Sequence, residues 1–159
     1  MTQQAQAEGK YPSPVMGWIT VAVLFVLYIL SLTDRYIIAL VSEPMKQDLG
    51  LSDFQLSLLQ GPAFAVLYSL CAIPIGFALD RYGRRIVLYL SVTFWSIAAT
   101  LCGVAPNFAM LAATRAGVGL GEAGFTTGSY AVIGDSFPPE RISLPMTLFV
   151  MGGVMGAGI

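Results

Sequence analysis

Two stretches place charge where apolar residues dominate: YILSLTDRYIIAL, with Asp34 and Arg35 side by side, and RAGVGLGEAGFTTGSY, with Arg115 and Glu122. An unpaired charge in hydrocarbon costs roughly 2.5–3.5 kcal/mol or more. Two acids and two bases in such runs can pair, line a wet cavity or carry protons. Histidine is absent, so a group that exchanges protons near neutral pH has to be a carboxylate.

Helical geometry sorts these residues. At about 100° per residue, Arg115, Gly119, Glu122, Thr126 and Ser129 fall within roughly 40° of one direction. Gly117, Gly121, Gly124 and Gly128 cluster on nearly the opposite side, where small residues let another backbone come close. Arg115 and Glu122 are about 10 Å apart along the axis, so each needs a partner from elsewhere. Counted from the run boundaries, Arg115 lies about 10 Å below the outer surface, and Asp34, on a run of opposite direction, at about the same depth. Asp34 with Arg115 is therefore the leading pair. Asp34 and Arg35, about 100° apart, straddle Ser31 and can edge one cavity. The plainer alternative is that such pairs only staple helices; one pair would suffice, and two acids and two bases are present.

The elements that must hold them are membrane helices. The chain is 56% hydrophobic and 11% charged, less than half the charged share of a soluble domain, with a mean hydropathy of +0.74. Behind a polar tail, residues 1–15, five runs are long enough for the ~20 apolar residues that a bilayer demands: about 16–41, 54–79, 86–105, 108–134 and 144–159. The first is too long for a signal-peptide core and lacks a cleavage pattern, so it is expected to be retained. The breaks SEPMKQDLGLSD, DRYGRR, APN and DSFPPERIS carry the charges and prolines. An all-α integral membrane bundle without a soluble domain is expected.

Lys10, Arg81, Arg84, Arg85 and Arg141 fall on one side and Lys46 on the other, which puts the N-terminus in the cytoplasm and the chain in the cell (inner) membrane. The last run ends while still apolar and glycine-rich, and reads as continuing into a longer protein. A net charge of −1 gives no electrostatic case for nucleic acid. Cys71 and Cys102 sit in apolar runs at no metal-ligand spacing, so small buried apolar roles are expected, with no metal or cofactor. No nucleophile–base spacing supports an enzyme.

GFALDRYGRRI resembles the signature between the second and third helices of the major facilitator superfamily at Gly76, Asp80, Arg81, Gly83, Arg84 and Arg85. A tight loop needs glycine to turn, and arginines there satisfy the positive-inside rule by themselves; the Gly76/Asp80/Gly83 spacing is the specific part. Two look-alikes are set aside. Asp80-Arg81-Tyr82 shares letters with a receptor motif but follows a second span. Gly119-x-Gly121-x-x-Gly124 matches the dinucleotide fingerprint by letters, without the strand that must precede it.

With Asp34-Arg35-Tyr36, GFALDRYGRR, RAGVGLGEAG and GDSFPPER in that order, the chain from Tyr28 onward resembles the N-terminal part of a major facilitator, and within it the Spinster-like transporters. The rival is the anion:cation symporter family of sugar-acid carriers, whose fourth-helix segment usually continues with proline rather than FTTGSYAVIGDSFPPER. The resemblance implies a proton-coupled transporter of twelve helices, of which four and part of a fifth are present, moving by alternating access with the substrate between two halves. Its partners are the remaining helices, protons, membrane lipid and a small-molecule substrate, amphiphilic and lipid-like or anionic. It implies Glu122 and Asp34 as proton-binding candidates, Arg35 as a site for an anionic substrate group or a charge-pair partner, Arg115 as a tuning base or charge-pair partner, the four exchanging partners as access changes, and Asp80 as a cytoplasmic-gate contact with the other half. A sensor or assembly subunit on the same scaffold is the alternative of another class.

Overall fold

In the computed structural model, residues 11–158 are described; Lys10, one of the basic residues used for orientation, lies outside them. The described residues form helices with no strand: α1 (Pro14–Leu40), α2 (Ser42–Leu49), α3 (Asp53–Gln60), α4 (Pro62–Tyr82), α5 (Arg84–Cys102), α6 (Phe108–Ser136), a 3-10 turn (Pro139–Arg141) and α7 (Ser143–Ala157). One expectation changes: SEPMKQDL, expected as a break, is a helix, since Pro44 falls in its first turn, where no intrahelical N–H is lost. The second apolar run has a turn at Gly61 between α3 and α4.

Local chemistry explains the joints. Gly50 ends α2 at φ 62, the left-handed conformation that glycine adopts without strain. Ser52 then opens α3 with a capping box, its Oγ accepting from the Gln55 N–H at 3.2 Å while the Gln55 side chain accepts from the Ser52 N–H at 3.0 Å.

Among the described residues, three stretches are long and apolar enough to cross a membrane: Pro14–Leu40, Asp53–Tyr82 and Arg84–Cys102. Only 22% of the most apolar window of α1 is buried. Val15, Ile19, Val23, Val26 and Leu30 instead form an exposed apolar stripe at helical spacing, as a surface facing lipid tails does. α6 is as long, but Arg115 and Glu122 and its glycines dilute its hydrophobicity.

The residues group into two compact units. In the unit that runs to Thr33 and resumes at Ser129, α7 lies against α1 through glycine. A Cβ on Gly152 would meet the Phe25 carbonyl oxygen at 2.8 Å, and one on Gly156 the Ile29 carbonyl oxygen at 2.6 Å. Tyr28 stacks on Phe149 with ring centroids 4.7 Å apart. In membranes such close approach replaces the hydrophobic drive that water supplies. The Asp34–Gly128 unit has its core at Phe64, Trp95, Ala98 and Val118, and a second cluster at Leu51, Leu59 and Leu111.

Candidate functional site

The Asp34–Gly128 unit contains all four intramembrane charges. Arg35 on α1 pairs with Glu122 on α6: Nη2 lies 2.5 Å from Oε2 and Nε donates to it at 2.6 Å. Asp34, one residue earlier, lies with Oδ2 3.5 Å from Arg115 Nη1. That pair is a looser charge contact, since neither Asp34 Oδ2 nor Arg115 Nε has a hydrogen-bond partner. The pairing that depth singles out is thus present. Arg35, expected as a substrate or charge-pair residue, is paired with Glu122, a contact that helical depth alone does not single out.

Burial divides the four unequally. The Glu122 side chain is 0% exposed and that of Arg115 5%, against 27% for Asp34 and 32% for Arg35. Each pair therefore joins one inaccessible group to one accessible group, with opposite signs inside: an acid in one pair, a base in the other. Rings complete the setting. Arg35 Cζ stands 4.5 Å from the Phe64 ring centroid and 5.3 Å from that of Tyr68, and Arg115 Cζ 5.7 Å from Phe64. Neither ring was singled out in the sequence, where an aromatic residue in an apolar run bears no mark of a neighbouring cation.

The glycines of α6 stand against α5. A Cβ on Gly121 would lie 2.7 Å from Trp95 Cβ and 2.9 Å from the Ser91 carbonyl oxygen, and one on Gly117 3.1 Å from Ala98 Cβ. Gly124 meets Ser91, and Gly128 meets Leu88 at 3.3 Å. On the other face Gly119 meets Phe64 at 3.3 Å, and Thr126 donates to the Glu122 carbonyl of its own helix. α6 is thus wedged on both sides, which fixes the height of Arg115 and Glu122.

The loop motif lies elsewhere in the same unit. Asp80 and Arg81 are exposed in the last turn of α4, Gly83 makes the turn at φ 91, and Arg84 and Arg85 open α5. Two bases at a helix N-terminus are unfavourable towards the helix dipole. Gly76 lies inside α4, where an added Cβ meets nothing within 4 Å. The described residues include no cluster of ligands able to hold a metal ion.

A sequence model of the Major Facilitator Superfamily matches residues 24–159. The crystal structure of a bacterial homolog of the human lysosomal transporter Spinster, inward-facing and unoccupied, superposes with a TM-score of 0.85 at 36% identity, covering 91% of this chain and 30% of that one. An MFS-type efflux pump of Mycolicibacterium smegmatis is 32% identical over 87% of this chain and 32% of its own length. The probable L-galactonate transporter of Escherichia coli K12 is 29% identical over 86% of this chain and 30% of its own. The chain thus spans about a third of the length of these relatives.

Proposed function

The chain belongs to the Major Facilitator Superfamily, and on that premise we propose that its helices form part of a proton-coupled secondary active transporter working by alternating access. The observation that carries this reading is the double ion pair, Arg35 with Glu122 and Asp34 with Arg115, set in helices with apolar outer faces. Protonating Glu122 cancels one charge of a buried pair and leaves the Arg35 guanidinium in need of another anion. Arg35 can take one, because its side chain is 32% exposed while that of Glu122 is 0% exposed. An anionic group on the substrate is the replacement. Proton and substrate then bias the same switch, and by linkage each alters the affinity of the other by the same factor. Asp34 is the second proton candidate, with Arg115 as its tuning base.

On this reading the N-terminus is cytoplasmic in the cell membrane, and the Gly76, Asp80, Arg81, Gly83, Arg84 and Arg85 segment belongs to the cytoplasmic gate. The remaining helices of the transporter close the cavity. Similarity to the sphingosine-1-phosphate transporter SPNS2 of Mus musculus supports an amphiphilic, lipid-like substrate with an anionic head. Similarity to the probable L-galactonate transporter favours a sugar acid as the second reading. Both provide an anion for Arg35.

The test is flux. The full-length protein in proteoliposomes under an imposed pH gradient should move either a lysophospholipid or galactonate, and Glu122→Gln should abolish the dependence on the gradient. An unchanged gradient dependence in Glu122→Gln would remove the proton assignment. Absence of any gradient-driven flux with both probes would favour a sensor or assembly role on the same scaffold.

A further inference from the structure

Phe64 carries no charge, yet among the described residues it is the one ring that both arginines approach, at 4.5 Å and 5.7 Å from its centroid. Its place is tightly determined. It is 8% exposed and packs in the core with Trp95, Ala98 and Val118. Its ring also stacks on Tyr68 at 5.9 Å and an interplanar angle of 27°. On α6, a Cβ at Gly119 would stand 3.3 Å from Phe64 Cδ2 and Cε2, so only a glycine leaves the ring where it is.

We propose that Phe64 is a positioning residue of the ion-pair network, its ring keeping Arg35 on Glu122 and Arg115 on Asp34. Two guanidiniums that converge on one place repel each other, and the two carboxylates already balance their formal charge. A third acid would unbalance the site and could itself take a proton. An aromatic face supplies negative potential with neither drawback. Each guanidinium has to leave the ring before it can exchange partners, so the ring resists exchange until a proton removes the charge on the acid. Gly119 and Tyr68 fix the ring, and through it they fix the bases. For its part in transport this rests on the reading above; the geometric claim does not.

The experiment replaces Phe64 in the full-length protein with mono-, di- and trifluorophenylalanine, which keep the shape and weaken the ring quadrupole stepwise. The thermal unfolding midpoint should fall with each fluorine, by about 2–4 °C over the series for an effect of this class. In a background with Asp34→Asn, Arg35→Met, Arg115→Met and Glu122→Gln combined, the series should be flat. Should that background not fold, Arg35→Met with Glu122→Gln serves in its place, since it removes the nearer guanidinium together with its acid and should reduce the slope. A flat series in the otherwise native protein, or equal slopes in both backgrounds, overturns the proposal. In the flux assay the trifluoro protein should leak substrate without a pH gradient roughly two- to fivefold faster, because Arg35 then leaves Glu122 without waiting for a proton. A falling midpoint with unchanged leak would show that the ring holds the guanidiniums without governing their exchange, and overturns its part in transport. Absence of flux in the native protein overturns the transport reading instead, and leaves the midpoint series to decide this one.

Discussion

Arg35 reaches Glu122 with two nitrogens and meets only one of its oxygens. Nε and Nη2 both converge on Oε2, at 2.6 and 2.5 Å, while Oε1 is buried without a hydrogen-bond partner. A fork-to-fork pair would occupy both oxygens. On the proposed proton coupling, Oε1 is the atom left for a proton while the arginine is still docked, so protonation and release would be two steps.

Because each pair joins one accessible and one inaccessible group, the cost of breaking it depends on which member is left behind. Arg35→Met strands the 0% exposed Glu122 side chain and should cost about 3 kcal/mol, whereas Glu122→Gln strands the 32% exposed Arg35 and should cost about 1–2. In the other pair the order reverses: Asp34→Asn strands Arg115, 5% exposed, and should be worse than Arg115→Met, which strands Asp34, 27% exposed. Unfolding midpoints of the four variants in detergent check this crossed order. A uniform penalty for losing acids, or for losing bases, would refute it.

Glycines on α6 and α4 should respond in opposite ways to one methyl group. Gly121→Ala drives a Cβ to 2.8 Å from the Trp95 backbone nitrogen and 2.9 Å from the Ser91 carbonyl oxygen. Backbone has to move, at about 1–3 kcal/mol. Gly76→Ala meets nothing within 4 Å in mid-helix and should stabilise α4 by about 0.5–1 kcal/mol. If Gly76→Ala raises the unfolding midpoint and still abolishes flux, the position works against the other half of the transporter, as a gate residue must.

Gly83→Ala should lose about 1–3 kcal/mol without any clash, because φ 91 is a conformation that side chains rarely adopt and nothing lies near its Cβ. Gly83→Asn should lose as much in the same unfolding assay, since ψ 128 lies outside the left-handed helical region in which asparagine is tolerated.

Lys46 pairs with Asp53 across the α2–α3 joint, and hydrogen bonding to that carboxylate holds its ammonium above the ordinary value of 10.5. A group raised in the folded state contributes fully below its unfolded value and loses that contribution as pH climbs through the folded one. Lys46→Ala should therefore shift the midpoint by the same amount at every pH from 5 to about 9, and by less above about 10.5. A shift that varied between pH 5 and 8 would show that another group is responsible.

The intramembrane charges were legible because a charge in an apolar run is costly and therefore conspicuous. Depth, counted in helical rise from a run boundary, puts Asp34 and Arg115 at one level, and the two are 3.5 Å apart. It could not give Arg35 to Glu122, since that contact depends on how α1 crosses α6, which no single-helix wheel contains. The period of glycines in α6 is visible in the letters; that Ser91, Trp95 and Ala98 face it is not. Phe64 was silent for a related reason: an aromatic residue is ordinary in a membrane run until two guanidiniums are placed beside it. The helix Ser42–Leu49 is hard to see in the letters because its charges and proline also suit a break between spans.

Between α4 and α5 there is a single residue, Gly83. An inserted residue would loosen this one-residue turn and let α5 shift along and about its own axis, moving Ser91, Trp95 and Ala98 from the glycines of α6. The connection from Gly103 to Asn107 has slack by comparison. Length variation among descendants of this chain should therefore accumulate after Cys102 and be purged at position 83, where a codon gained or lost unseats a whole helix.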